Sequence, residues 1–236
     1  MSPLLVTLPL VESAKPDILT QIYKLVQTCP ELGFTYKESL TAHVRENTNR
    51  GTLWAAMRGS EVVGVATLGS RRLYPHLARH GEVVVKHEYR RQRIATALYT
   101  AQVVQVILEG RREVEDTIIT SLSPWMHGPT DCGDGFLPSL KYTHYGTQPK
   151  RTTAFRDVAL WGKATTELDS YLSRLPENLE TLQVVRTEKV DATWEKNMKV
   201  YGRNAPELVG EFETLRERVL SIASLVECKK KKGLLK

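Results

Sequence analysis

Arg90-Arg91-Gln92-Arg93-Ile94-Ala95-Thr96 follows closely on a β-branched run, Val83-Val84-Val85. A strand that ends just before a helix start turns unpaired backbone N–H groups and a partial positive charge toward one point, which suits a diphosphate. Arg90 and Arg91 can add charge-assisted hydrogen bonds to phosphate oxygens, while Ile94 and Leu98 are spaced to hold the helix on a sheet. Residues 71–112 carry nine Lys and Arg against three Glu. That excess attracts a polyanionic ligand, whether a phosphate-bearing cofactor or a nucleic-acid backbone. Other combinations point to less. His76 and His80 lie four apart with His87 nearby, but no H-E-x-x-H or Cys pair accompanies them, so no metal site is expected and these histidines are read as exposed loop residues. His127, Asp131, Asp134 and Tyr145 form a polar constellation that could coordinate a metal or bind a substrate, with loop capping the commoner explanation, and Trp125 is a candidate substrate contact.

The elements that must position the junction follow from periodicity. Leu4 to Pro9 reads as a strand, Pro16 to Cys29 as an amphipathic helix, and Tyr36 to Asn47 as a second, shorter helix. Thr52 to Met57 and Val62 to Leu68 form a hairpin across Gly59-Ser60. After a basic loop come a strand at Glu82 to Lys86, a helix at Arg91 to Glu109 and a strand at Thr117 to Leu122. Residues 124–135, rich in Gly and Pro, read as a loop. A helical turn at Phe136 to Leu140 and closing strands at Thr143 to Thr147 and Ala154 to Trp161 complete a mixed α/β sheet flanked by helices. Trp54 and Trp161 are expected in the core. Beyond Lys163 the chain reads as helical: Leu168, Leu172, Leu175, Leu179 and Leu182 are spaced 4-3-4-3 around Pro176. Leu208, Phe212, Leu215, Val219, Ile222 and Val226 form a heptad-like stripe that can pack on its own domain or on a second copy.

Composition narrows the class. The chain has 236 residues, 41% of them hydrophobic, enough for one α/β domain and an appendage. No run of eighteen apolar residues and no leader pattern is present, so an intracellular, cytoplasmic protein without a membrane segment is expected. Cys29, Cys132 and Cys228 are scattered and odd in number, which fits a reducing compartment. Most of the net charge of +6 comes from the lysines after Cys228.

Arg90 to Ala95, with Val83 and Val85 before it, Tyr89 adjoining and Thr96-Ala97-Leu98-Tyr99 after it, resembles the acetyl-CoA signature of the GNAT superfamily of acyl-CoA-dependent N-acyltransferases. That signature reads Arg/Gln-x-x-Gly-x-Gly/Ala after a Val-rich strand. Arg90 and Ala95 match it, and Arg93 stands where the central glycine belongs, so its side chain must point away or supply charge. The element order from Leu4 to Lys163 is similar as well. The resemblance implies a GNAT-like acyltransferase fold over residues 1–165, with 166–236 as a helical extension ending in a basic tail. It also implies acetyl-CoA as co-substrate. The pantetheine arm would meet the backbone of Val83 and Val85, and the diphosphate would meet Arg90, Arg91, Gln92, Arg93, Ile94, Ala95 and Thr96.

Catalytic roles follow from the same resemblance. Glu82 is the candidate base, acting directly or through water. The tyrosine that often serves as general acid in the family is replaced by Leu137, leaving Tyr145 as first choice before Tyr142 and His144. The expected reaction is direct transfer of an acetyl or related acyl group to an amine. Two rival readings keep the fold: modification of a nucleic-acid base, as in phage Mom-like enzymes, and a catalytically degenerate module that binds partners or a second copy through its C-terminal helices.

Overall fold

The computed structural model describes residues 5–10, 16–28, 53–71, 74–119, 136–148 and 158–227. The expected helix at 36–47, the Gly/Pro loop with Trp125, His127, Asp131 and Asp134, the three cysteines and the lysine tail lie outside the described residues.

Among the described residues nine strands form one sheet: β1 (Leu5–Leu10), β2 (Leu53–Arg58), β3 (Glu61–Arg71), β4 (Tyr74–Val85), β5 (Glu113–Ile119), β6 (Thr143–Gln148), β7 (Val158–Ala164), β8 (Leu179–Arg186) and β9 (Ser224–Glu227). Their order across the sheet is β6-β7-β5-β4-β3-β2-β1-β8-β9. The β2–β3 hairpin turns through Gly59, whose φ of 59° suits glycine. The pairs β1/β8, β4/β5 and β8/β9 are parallel. The mixed α/β sheet read from the sequence is therefore present.

Helix α1 (Pro16–Gln27) packs Ile22, Leu25 and Val26 on one face of the sheet, against Leu53, Ala55, Met57, Val62 and Val84. Helix α2 (Ile94–Leu108) crosses the other face. Gly64 of β3 makes that close approach possible, because a Cβ there would lie 3.0 Å from Ile94 and 3.2 Å from Leu98. Every residue of α2 except Ala95 is buried. A helix apolar all round must be covered all round. The elements on its outer side come from the C-terminal third: short helix α4 (Asp169–Leu172), α5 (Glu188–Asn204) and α6 (Glu207–Ile222), numbered after the helical turn α3 (Phe136–Ser139).

Three expectations change here. The stretch read as a basic loop is the first half of β4, which already begins at Tyr74. Leu179 and Leu182 belong to a strand, β8, and Val226 to β9, so the C-terminal part adds two strands as well as helices. Pro176 ends the helical reading, and the β-branched end of Leu179-Glu-Thr-Leu-Gln-Val-Val finds an open edge beside β1. Polar ties fix this layer: the Gln105 amide bonds both backbone groups of Val185 at 3.0 and 2.9 Å, and Asn197 and Tyr201 donate to the carbonyls of Glu109 and Gly110. Within the heptad-like stripe, Phe212, Leu215 and Val219 are buried against this same chain.

Phe212 is fully buried, stacked on Tyr201 with ring centroids 5.4 Å apart and edge-on to Trp194. Phe212→Ala is expected to cost about 3–5 kcal/mol, read from urea denaturation. A loss under about 1 kcal/mol would mean that α5 and α6 do not pack as described.

Candidate functional site

Strand β4 is parallel to β5 for only three residue pairs, Leu77/Glu113, Ala78/Val114 and Arg79/Glu115. Beyond them β5 continues beside β7 as far as Ile119/Val158, while β4 continues beside β3 as far as Val85/Gly64. The two strands have parted, and no strand among the described residues fills the gap. On the β3 side the register jumps from Ala66/Val83 to Leu68/His80, so Thr67 faces two residues, Gly81 and Glu82. This is a β-bulge in β4. Gly81 is required in it, since a Cβ would stand 2.0 Å from Thr67 Oγ1.

The bulge also resets which side chains face which way. Val83 and Val85 pack toward α2, as do Ala78 and His80, an alternation that only an inserted residue reconciles. Lys86 N–H donates to Val63 O on the β3 side at 3.0 Å. By alternation, the N–H and C=O groups of Val83 and Val85 face the gap. One of these is already used: Arg90 Nε donates to Val85 O at 3.3 Å.

A short 3-10 turn, His87–Tyr89, carries the chain from β4 to α2. Glu61 anchors it, accepting from Lys86 Nζ at 2.5 Å and from the Tyr89 hydroxyl at 2.6 Å. Those two bonds hold the Glu61 carboxyl below its usual range. Arg91 and Arg93 then take φ of 62° and 58°, left-handed values that favour glycine and cost a side-chain-bearing residue about 1–2 kcal/mol each. Arg93 is the N-cap of α2, and the first intrahelical bond runs from Ala97 N–H to its carbonyl at 3.0 Å. The N–H groups of Ile94, Ala95 and Thr96 therefore have no intrahelical acceptor. Arg93 at the glycine position points away from this cradle, with Nη1 donating to Leu175 O at 3.4 Å, and Gln92 Nε2 bends back to Glu88 O at 3.2 Å. The junction thus keeps its open backbone donors despite the arginines.

The structure separates the two expected catalytic residues. Glu82 lies in the bulge, at the parted end of β4. Tyr145 lies on β6 beside Gly162 and donates to Glu113 Oε1 at 2.8 Å. Glu113 is level with Leu77, at the closed end of the β4/β5 pair. Five residues of strand at about 3.3 Å each separate Leu77 from Glu82. Partial burial of the Tyr145 hydroxyl and its bond to Glu113 also push the phenol up to about 12. Tyr145 is an exposed tyrosine that ties β6 to β5. Leu137, in the place of the family's tyrosine, is fully buried.

Sequence reasoning missed a buried polar chain. His80, only 2% exposed, is no loop histidine. Its ring stacks on Tyr99 at 3.9 Å, and it bonds Gln102 Oε1 through Nδ1 and the Tyr142 hydroxyl through Nε2, both at 2.6 Å. Tyr171 donates to Tyr142 at 2.7 Å. With Gln102 Oε1 accepting, the ring proton sits on Nδ1 and Tyr142 donates to Nε2. At the far end Lys163 lies over the Tyr171 ring at 4.7 Å and donates to Leu140 O and Ser170 Oγ. Burial pushes Lys163 down to about 8. The advance signal was Gln102, a polar side chain inside the largely apolar run of residues 94–108. A groove of about 270 Å³ opens on the α1 side, lined by Gln21, Lys24, Leu25, Thr28, Lys86, His87 and Glu88. Among the described residues no group of three or more His, Cys, Asp or Glu is placed to hold a metal, and no helix is long and apolar enough to cross a membrane.

A mixed sheet whose parallel pair β4/β5 parts beside a helix start, with open N–H groups at the exit, defines a class of fold. Residues 19–110 match the profile of the acetyltransferase (GNAT) family. Solved structures agree on the fold. An N-acetyltransferase from Staphylococcus aureus Mu50 is 17% identical with a TM-score of 0.53, covering 68% of this chain and 98% of its own. The aminoglycoside 6'-N-acetyltransferase from Enterococcus faecium is 17% identical at 0.55, covering 68% and 97%. A putative acetyltransferase from Salmonella typhimurium, solved with its cofactor acetyl-CoA, is 12% identical at 0.51, covering 68% and 94%. No protein of curated function matches the sequence.

His80 gives the site a pH signature. Burial, partly offset by the bond to Gln102, pushes its imidazole down from 6.5 to about 3. The unfolded chain then binds a proton between those values that the folded protein refuses, so stability falls as pH drops through that window. Wild type should lose more stability than His80→Gln between pH 7 and pH 4 in parallel urea titrations. Equal losses would contradict a buried neutral histidine.

Proposed function

We propose that the protein is an N-acyltransferase that moves an acetyl or related acyl group from acetyl-CoA to an amine. The parting of β4 from β5 beside the open N–H groups of 94–96 carries this reading. The residues present suit the co-substrate: backbone groups of Val83 and Val85 face the gap a pantetheine arm would enter, and the α2 start offers donors and positive charge to a diphosphate. Arg90, Arg91, Gln92 and Arg93 frame that start, with Ile94, Ala95 and Thr96 supplying its first N–H groups.

In the reaction the amine nitrogen attacks the thioester carbon and loses a proton, and the C–S bond breaks. Glu82, in the bulge, is the proposed acceptor of that proton, directly or through water. N–H groups at the parted edge of β4 would stabilise the oxyanion as it forms. The leaving thiolate needs no dedicated acid to depart, because a thiol ionises near 8.5 and is a far weaker base than the attacking amine. Tyr145 has no part in this scheme. The groove between α1 and the turn after β4 is the proposed approach for the acceptor. The acceptor is an amine, and its identity rests with the side chains around that groove.

Calorimetry should show acetyl-CoA binding to wild type, and thiol release from acetyl-CoA should be stimulated by members of a primary-amine panel. Glu82→Gln should lower turnover by about 100-fold or more while leaving the acetyl-CoA Kd within about twofold. No binding at millimolar acetyl-CoA would contradict the acyltransferase reading. A fully active Glu82→Gln would remove Glu82 from it.

A further inference from the structure

Two halves of the sheet meet at the parted strands: β4 with β3, β2, β1, β8 and β9 on one side, and β5, β7 and β6 on the other. Backbone pairing between the halves ends at Arg79/Glu115. His80 is the first residue of β4 beyond that last pair, and its Nε2 bonds the Tyr142 hydroxyl at 2.6 Å. Tyr142 immediately precedes β6, and its N–H donates to Leu137 O at 3.1 Å, so it belongs to the β5-β7-β6 half. The bond therefore joins the two halves through side chains at the point where their backbones part.

This contact is supported from both sides. Gln102 and Tyr99 of α2 hold the His80 ring by a hydrogen bond and a stack, and Tyr171 of α4 donates to the Tyr142 hydroxyl. Both His80 and Tyr142 are buried, so water does not compete for the bond. On the other edge of β4, His80 pairs with Leu68, and the bulge at Gly81 and Glu82 begins directly after it. Held on both edges, His80 sets where the bulge starts. Arg79 and Glu115, on the opposite face by alternation, approach only to 3.9 Å with Arg79 exposed, which is a weaker hold.

We infer that His80 is a positioning residue for acyl transfer: its bond to Tyr142 clasps the apex of the parted strands and fixes Glu82, and the N–H groups that follow it, relative to the β5 side of the gap. This rests on the acyl-CoA reading above. Thioester and amine must meet in that gap, and a displacement of about 1 Å at reacting groups can cost about 100-fold in rate. A buried hydrogen-bonded network has the rigidity to prevent such a displacement. The phosphates would bind at the α2 start, away from the apex, so loosening the clasp slows the reaction more than it weakens coenzyme binding.

The test is turnover of the full chain with saturating acetyl-CoA and the most active primary amine of the panel, divided by the number of CoA-binding sites counted by calorimetry. Tyr142→Phe deletes the clasp bond and keeps the ring. His80→Asn still reaches Gln102 but is too short for Tyr142, whereas His80→Gln is long enough to accept from it, and His80→Asn carries the test should Tyr142→Phe not fold. Tyr142→Phe and His80→Asn should each lower kcat per binding site roughly tenfold with the CoA Kd within about threefold, and His80→Gln should recover most of that loss. Tyr171→Phe removes a neighbouring buried bond but keeps the clasp, so it should lower thermal stability while leaving kcat per site within about twofold. Unchanged kcat per site in the clasp variants, an equal loss in Tyr171→Phe, or a His80→Gln no better than His80→Asn overturns the proposal. Absence of CoA binding, or of amine-stimulated thiol release, in wild type defeats the acyltransferase reading first and this proposal with it.

Discussion

Strand β4 must serve two neighbours that diverge. It is paired to β5 only through Arg79 and then follows β3 away from it, and the bulge at Gly81 and Glu82 lets one strand do both. A regular strand would keep one face toward α2 throughout. The inserted residue instead places Ala78 and His80 on that face before the bulge and Val83 and Val85 after it. The buried histidine chain below and the open strand edge above therefore depend on the same local irregularity. Its energetic condition is steric, the absence of a Cβ at Gly81.

The second requirement is to hold the start of α2 at the mouth of the gap. Gly64 lets the helix lie close to β3, and Glu61 ties the connecting turn to the β2–β3 hairpin through Lys86 and Tyr89. The outer side of α2 is then closed by elements beyond Lys163, with Gln105 bonding the backbone of Val185 as a further strand would. Arg91 and Arg93 in left-handed conformations are the local cost of this geometry, and three of the loop's polar side chains spend their hydrogen bonds on backbone carbonyls nearby. Rigid surroundings can hold such conformations where an isolated loop would not.

Much of this was legible in the sequence where one signal dominated. The β-branched run at 83–85, the apolar 94–108 helix and the Gly59 turn each followed a single period or a single turn signal, and each is present. Reading failed where a polar residue has a buried partner distant in sequence. Tyr74 to Gly81 contains Pro, two His and Arg, which reads as loop, yet it is a strand because β3 pairs with it and Tyr142 and Gln102 satisfy His80. Leucine spacing across 168–182 suggested one helix around Pro176, but an open sheet edge beside β1 outweighs helical propensity from Leu179 onward. Tyr145 follows the Leu137 region closely in sequence, but sequence distance does not say which end of the sheet a β6 residue occupies. Pairing with Glu113 places it at the closed end.

In the proposed reaction the β4–α2 junction receives the phosphates of an acyl-CoA through its backbone. Amide hydrogen exchange across residues 83–96, with and without acetyl-CoA, tests it directly. N–H groups without an acceptor in the free protein should slow on ligand addition at 91–96 and at Val83 and Val85, with the C-terminal half of α2 unchanged. Exchange at 91–96 that stays the same under saturating acetyl-CoA would contradict the account.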